Sequence, residues 1–186
     1  KMSILYDEQQ NVFHLKAGET SYVMQVVREK YLAHLYWGKK LGEWHKGSRA
    51  ILYIDRQFEH GPDAFDRTFS LGTFPQEYPQ YGNGDFRSCA YGICNEAGSR
   101  ISSLTYAGYE IQKGKPPIPG LPASFGGKDE CTSVEILCRD SHTGLEAVLL
   151  YTAFEEADVI TRSVRIVNGG EESLYLTKVY SACLYM

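Results

Sequence analysis

Acid–base chemistry needs carboxylates and imidazoles held close together, and this sequence carries 23 Asp and Glu side chains and five histidines. The histidines (His14, His34, His45, His60 and His142) are dispersed, and each is read as a surface or core residue rather than a ligand or base. Cleavage of a glycosidic bond requires two carboxyl groups held roughly 5–10 Å apart. Spacing along strands and loops does not encode such a distance, so no pair is singled out and no catalytic residue is assigned. The densest cluster is Pro75-Gln76-Glu77-Tyr78-Pro79-Gln80-Tyr81-Gly82-Asn83-Gly84-Asp85-Phe86-Arg87. Its prolines and glycines fix the backbone, and Glu77, Asp85 and Arg87 supply charges able to pair. Two readings stand beside each other: a rigid loop whose charges satisfy one another and buried backbone groups, or the wall of a sugar site or domain interface.

Motifs for other chemistries are missing. No P-loop, HExxH or GxSxG occurs, and the Gly82-Asn83-Gly84 run precedes nothing that reads as a helix start. The five cysteines (Cys89, Cys94, Cys131, Cys138 and Cys183) form no CxxC pair and match no zinc spacing, so no metal and no cofactor is expected. Cysteines in odd number and without pairing motifs fit small buried thiols in a reducing cytoplasm.

The elements that would position any site are strands. Val134, Ile136 and Cys138 alternate with polar neighbours up to a turn at Asp140-Ser141-His142-Thr143-Gly144. Leu145, Ala147, Leu149 and Tyr151 continue, followed by Ile160, Arg162, Val164 and Ile166, a turn at Asn168-Gly169-Gly170, and Leu174, Leu176, Val179 and Tyr180 in a last strand. Period-two runs separated by turn residues describe antiparallel hairpins in a sandwich or barrel. Nearer the start, Val23, Val26, Val27, Tyr31 and Leu35 approach helical spacing. The same residues also suit a hairpin, Ser21 to Val27 against Tyr31 to Trp37, turning at Arg28-Glu29-Lys30. The hairpin is preferred because β-branched and aromatic residues dominate both halves.

Between Gly38 and Gly98 lies an irregular stretch in which Tyr53, Phe58, Phe65, Phe69, Phe74, Tyr78 and Tyr81 recur. Disordered segments are poor in aromatics, so this one is expected to be ordered and to pack on something, another domain or subunit being one candidate. The run Gly114 to Ala123, with four prolines, reads as a stiff connector. The closing residues Ser181 to Met186 read as the middle of an apolar strand, which marks the chain as a fragment of something longer. A formal charge of −4 argues against a nucleic-acid partner, and no stretch approaches the roughly 18 apolar residues of a membrane span.

Glu77 to Arg87 resembles the EYPxYGxGDFR stretch of glycoside hydrolase family 36 α-galactosidases. Ser3 to Asp7 with Phe13-His14-Leu15, His34 to Leu41, Gly120 to Ala123, Leu150 to Phe154 and Asp158 to Ser163 are similar to further family stretches in the same order. The resemblance implies an all-β, antiparallel, galactose-mutarotase-like supersandwich over residues 1–186, itself incomplete. A catalytic (β/α)8 barrel would follow residue 186, together with both catalytic aspartates. It implies retaining hydrolysis of terminal α-galactosyl groups from melibiose- or raffinose-type sugars by a cytoplasmic tetramer. The long N-terminal loop of one subunit would reach the active-site mouth of another. On that resemblance Asp55 is carried over as a galactoside contact, with Trp44 of the same loop as a stacking candidate. The family often carries Asn-Gly where this chain has Glu29-Lys30. The competing classes are a free-standing carbohydrate-binding module and a mutarotase-type enzyme, the latter requiring a His and a Glu to converge on one sheet face.

Overall fold

The computed structural model describes residues 3–45, 51, 53–55, 62 and 65–184. Among these described residues, ten strands are arranged as two four-stranded meanders and a two-stranded ribbon. The first meander runs β1 (Ile4–Asp7), β2 (Val12–Ala17), β3 (Thr20–Val27) and β4 (Tyr31–Lys39). The second runs β6 (Thr105–Lys113), β7 (Cys131–Arg139), β8 (Leu145–Phe154) and β9 (Val159–Asn168). Between them in sequence lies β5 (Tyr91–Asn95), which pairs with β10 (Leu174–Val179). All pairings are antiparallel, and the two meanders face each other, with β1 against β7, β2 against β8 and β4 against β6. The expected all-β sandwich is therefore the observed architecture.

Alternation builds the core. Ile4, Phe13, Leu15, Tyr22, Met24 and Val26 of the first sheet meet Val134, Ile136, Leu145, Leu149 and Tyr151 of the second, with Tyr91 and Ile93 of β5 closing one end. The near-helical spacing of Val23 to Leu35 also has a physical cause. The β3–β4 hairpin is covered on both faces, so apolar residues recur on both and blur the period of two. Its inner face joins the sandwich. On its outer face Val27, Ala33, Tyr31 and Leu35 pack with Phe69, Leu71 and Phe74 of the irregular region. That region is ordered where it is described and packs on its own chain's hairpin. Phe58, in the same stretch, lies outside the described residues.

Two expectations need adjustment, while the turn at Arg28-Glu29-Lys30 stands where the sequence placed it. The last strand ends at Val179, so Tyr180 and Ser181 to Leu184 lie beyond it. A bulge between Leu176 and Lys178 breaks the period there. Strand β5 went unrecognised inside the irregular region, because five residues containing a glycine give too short a pattern to read. At the β3–β4 turn, the residues with positive φ are Arg28 (55°) and Glu29 (58°), one position earlier than Glu29-Lys30, with Lys30 N donating to Val27 O. Two consecutive left-handed residues describe the turn that tight hairpins favour, and Asn-Gly adopts it with least strain. Arg28 compensates by lying over the Phe69 ring and pairing with Asp66.

Two predictions follow from these strands. Glu29→Gly removes a left-handed non-glycine residue and should stabilise the fold by about 0.5–1 kcal/mol, read as a higher urea midpoint at unchanged m-value. A lower midpoint would refute the strain assignment. In β2, burial and then the nearby Lys16 charge push the His14 imidazole down from 6.5 to about 4. His14 is neutral in the folded protein and sits 2.9 Å from Ser21 Oγ. Its contribution is complete above pH 6.5 and should fade by roughly 2–3 kcal/mol as pH drops towards 4. His14→Gln should flatten the stability profile in that window; an unaltered slope would assign the effect elsewhere.

Candidate functional site

The Pro75–Arg87 loop is built by a tight turn at its tip and by β4 at its base. Asn83 and Gly84 both have positive φ, and Gly82 N and Asp85 N exchange hydrogen bonds with each other's carbonyls at 3.1 and 3.0 Å. The Asn-Gly pair therefore makes a two-residue hairpin turn, a conformation glycine adopts at no steric cost. At the base, His34 N donates to Pro75 O (2.7 Å) and Glu77 N to Leu32 O (2.9 Å), so residues 75–77 lie alongside β4 as a short added strand.

Within the loop, Asp85 is fully buried and accepts Arg87 Nε and Nη2, each at 2.9 Å, and Gln76 Nε2 at 2.6 Å. Arg87 Nη2 also donates to the Leu71 and Phe74 carbonyls, both at 2.8 Å. This is the self-satisfying rigid loop of the first reading. Glu77 does something else. It has no exposed surface, and its Oε1 accepts Tyr22 Oη (2.7 Å), Tyr151 Oη (2.6 Å) and Arg162 Nη1 (2.6 Å). His34 Nδ1 lies 3.1 Å from Oε2, and Arg162 Nη2 reaches the Glu77 carbonyl at 3.0 Å. One side chain thus joins β3, β4, β8 and β9.

The electrostatics of this cluster make it structural rather than catalytic. Burial alone would raise the Glu77 carboxyl, but the Arg162 charge and the hydrogen bonds from His34 and Tyr151 outweigh it and hold the group below its ordinary value. Burial, together with the Glu77 charge, drives the Tyr22 and Tyr151 hydroxyls far upward, so both remain donors. A permanently ionised, fully enclosed carboxylate cannot deliver a proton to a sugar. His34 and Glu77 do converge, as a mutarotase-type site would require, yet Glu77 presents no surface on which a pyranose could rest. Among the described residues, no group of three or more His, Cys, Asp or Glu could hold a metal ion.

The two residues carried over as sugar contacts lie elsewhere and are not brought together by any observed contact. The Asp55 side chain is 69% exposed, with Arg67 Nε 3.6 Å away. Trp44 is half-buried, and its carbonyl accepts Gln10 Nε2 at 3.5 Å. Neither lines the cleft of about 390 Å³ that opens beside Arg162, between Trp37 of β4 and Val159 and Ile160 of β9. Arg162 itself is the residue whose role sequence reasoning missed. A signal existed, since a charge at an inward position between Ile160 and Val164 demands a buried partner.

The sequence profile of the glycosyl hydrolase family 36 N-terminal domain matches residues 30–186. The chain belongs to glycoside hydrolase family 36. It is 49% identical over 181 residues to the α-galactosidase AgaA of Geobacillus stearothermophilus, a match covering 97% of this chain and 25% of that protein. The crystal structure of α-galactosidase AgaB from the same organism superposes with a TM-score of 0.89 at 49% identity, over 97% of this chain and 24% of AgaB. A substituted AgaA solved with raffinose aligns with a TM-score of 0.86 at 49% identity, over 91% of this chain and 24% of that one. The family 36 N-terminal domain described here thus spans about a quarter of the length of these relatives.

The Glu77–Arg162 pair generates a prediction about this family 36 domain. Arg162→Met should destabilise it by about 3–5 kcal/mol, because Glu77 is left buried without its counter-charge. Glu77→Gln should cost a similar amount. The double variant should lose clearly less than the sum, a coupling readable from chemical unfolding midpoints. Strict additivity would show that the two groups act independently.

Proposed function

We propose that this chain is the non-catalytic N-terminal domain of a retaining α-galactosidase that removes terminal α-galactosyl groups from melibiose- and raffinose-type sugars. The observation that carries the reading is 49% identity sustained over 97% of the chain to α-galactosidase AgaA, a protein solved in substituted form with raffinose. Retention requires a carboxylate nucleophile and a carboxylic acid about 5–5.5 Å apart. Glu77 and Asp85, the carboxylates most firmly held here, are enclosed and fully engaged. On this reading the catalytic pair belongs to a (β/α)8 barrel following residue 186, and residues 1–186 are part of a supersandwich that supports it.

Within that enzyme, the stretch carrying Trp44 and Asp55 forms part of the active-site rim, reached across a subunit boundary in a homotetramer. Asp55 has the exposure a sugar contact needs, and a carboxylate accepts two neighbouring hydroxyls of a pyranose. Trp44 offers an aromatic face for stacking. The five cysteines are all free thiols, which suits a cytoplasmic enzyme, and among the described residues no helix is long and apolar enough to cross a membrane.

In the full-length enzyme, Asp55→Ala should raise KM for raffinose by about 10-fold or more, the worth of a charge-assisted hydrogen bond. The Glu77 cluster, whose carboxylate is fully enclosed, should set stability instead. Identical KM and kcat in the Asp55 variant would remove that residue from the site. Release of β-galactose first, seen by NMR during hydrolysis, would contradict retention.

A further inference from the structure

The stretch that carries Asp55 is joined to the segment Asp66 to Phe69 at two points. Tyr53 packs on Phe69 with ring centroids 6.4 Å apart, and Arg67 Nε lies 3.6 Å from Asp55 Oδ1. Residue 53 thus meets 69 and residue 55 meets 67, so the two stretches pass each other in opposite directions. The second stretch is firmly held. Asp66 Oδ1 accepts Thr68 N at 2.8 Å and Thr68 Oγ1 at 2.6 Å, a local turn that sets the backbone on both sides of Arg67. Asp66 also pairs with Arg28, whose guanidinium lies 4.4 Å from the Phe69 ring centroid. Phe69 itself is buried in the outer cluster on the β3–β4 hairpin. Arg67 therefore stands between anchored residues while its own side chain stays 52% exposed.

Stability does not account for the Arg67–Asp55 pair. A contact of 3.6 Å is an ion pair rather than a hydrogen bond, and exposed pairs of that kind contribute little to folding because water screens both charges. What the pair does fix is direction. A carboxylate has two oxygens and about four lone-pair sites, all able to accept. A guanidinium on the Oδ1 side orients the carboxylate plane. Oδ2 and the outer lone pair of Oδ1 then face outward together, the arrangement that meets two neighbouring hydroxyls of a pyranose. The Tyr53–Phe69 contact keeps the stretch beside Arg67, two residues from the carboxylate it serves.

We propose that Arg67 is a positioning residue for galactoside binding, acting through Asp55 rather than by touching the sugar. The inference rests on the reading of Asp55 as a sugar contact and adds the residue that aims it. Phe69 is the footing for both sides of the pair, since Tyr53 and Arg28 pack on its ring.

Raffinose kinetics of the full-length enzyme test this, with Arg67→Met, Arg67→Lys, Asp55→Ala and the Arg67→Met/Asp55→Ala double variant compared. Arg67→Met should raise KM about 5-fold, with a smaller change in kcat and an unmoved urea midpoint. Arg67→Lys should recover most of that loss, because a single ion-pair contact asks for charge and not for the guanidinium fork. The double variant should match Asp55→Ala alone in KM, since Arg67 has nothing left to aim. Multiplied losses would mean that Arg67 binds sugar itself, and a lowered midpoint would mean a structural role. Either overturns the proposal, as does a lysine variant no better than the methionine one. An unaltered KM in Arg67→Met beside a raised KM in Asp55→Ala refutes this inference alone and leaves Asp55 in the site. An unaltered KM in Asp55→Ala removes the sugar contact, and this inference with it.

Discussion

The buried ion pair between Glu77 and Arg162 is the constraint around which the chain is organised. Either charge alone in the interior would cost several kcal/mol, so the loop that carries Glu77 must meet the strand that carries Arg162. Because Tyr22, Tyr151 and His34 share the same carboxylate, the two sheets can face each other in only one offset. Arg162 reinforces this by lying against the Tyr151 ring, 5.1 Å from its centroid. Apolar packing supplies most of the driving force for such a core, but apolar contacts tolerate sliding. A hydrogen-bonded charge does not.

From Glu77 outward the same loop ties down the rest of the molecule. Tyr78 stacks on Tyr91 of β5 and donates to the Tyr180 carbonyl just past β10. Gln80 accepts Leu104 N and Tyr91 Oη. Asp85 and Arg87 then close the loop on itself and on the backbone at Leu71 and Phe74. Consecutive residues thus hold β4, β9, β10, β5 and the entry to β6 in turn. A segment without regular secondary structure is as rigidly determined as any strand, because its polar groups are spent on buried partners. In family 36 relatives this domain is joined to a much longer chain.

Much of the fold was legible in the residues themselves. The alternation in Val134–Cys138, Leu145–Tyr151 and Ile160–Ile166 announced β7, β8 and β9, since one face of each must be apolar to be buried. The turn at Asp140–Gly144 was equally plain. Asp140 accepts the amides of His142 and Thr143, and Gly144 has φ of 74° with Gly170 packed too close for a side chain. Strand β5 was not legible, being too short for a period to emerge. The hairpin of β3 and β4 was ambiguous because both of its faces are covered.

By itself, the sequence determined strands β7 to β10 and their turns, a rigid loop whose Glu77, Asp85 and Arg87 could pair, and resemblance to a glycosidase family. Local physics suffices for these: alternation, turn chemistry and short-range charge pairing depend on neighbours in the chain. Only the tertiary structure decided the partner of Glu77, which lies 85 residues away, and the surface against which the aromatic loop packs. Those outcomes depend on which strands become neighbours in space, and a one-dimensional pattern carries no measure of that distance.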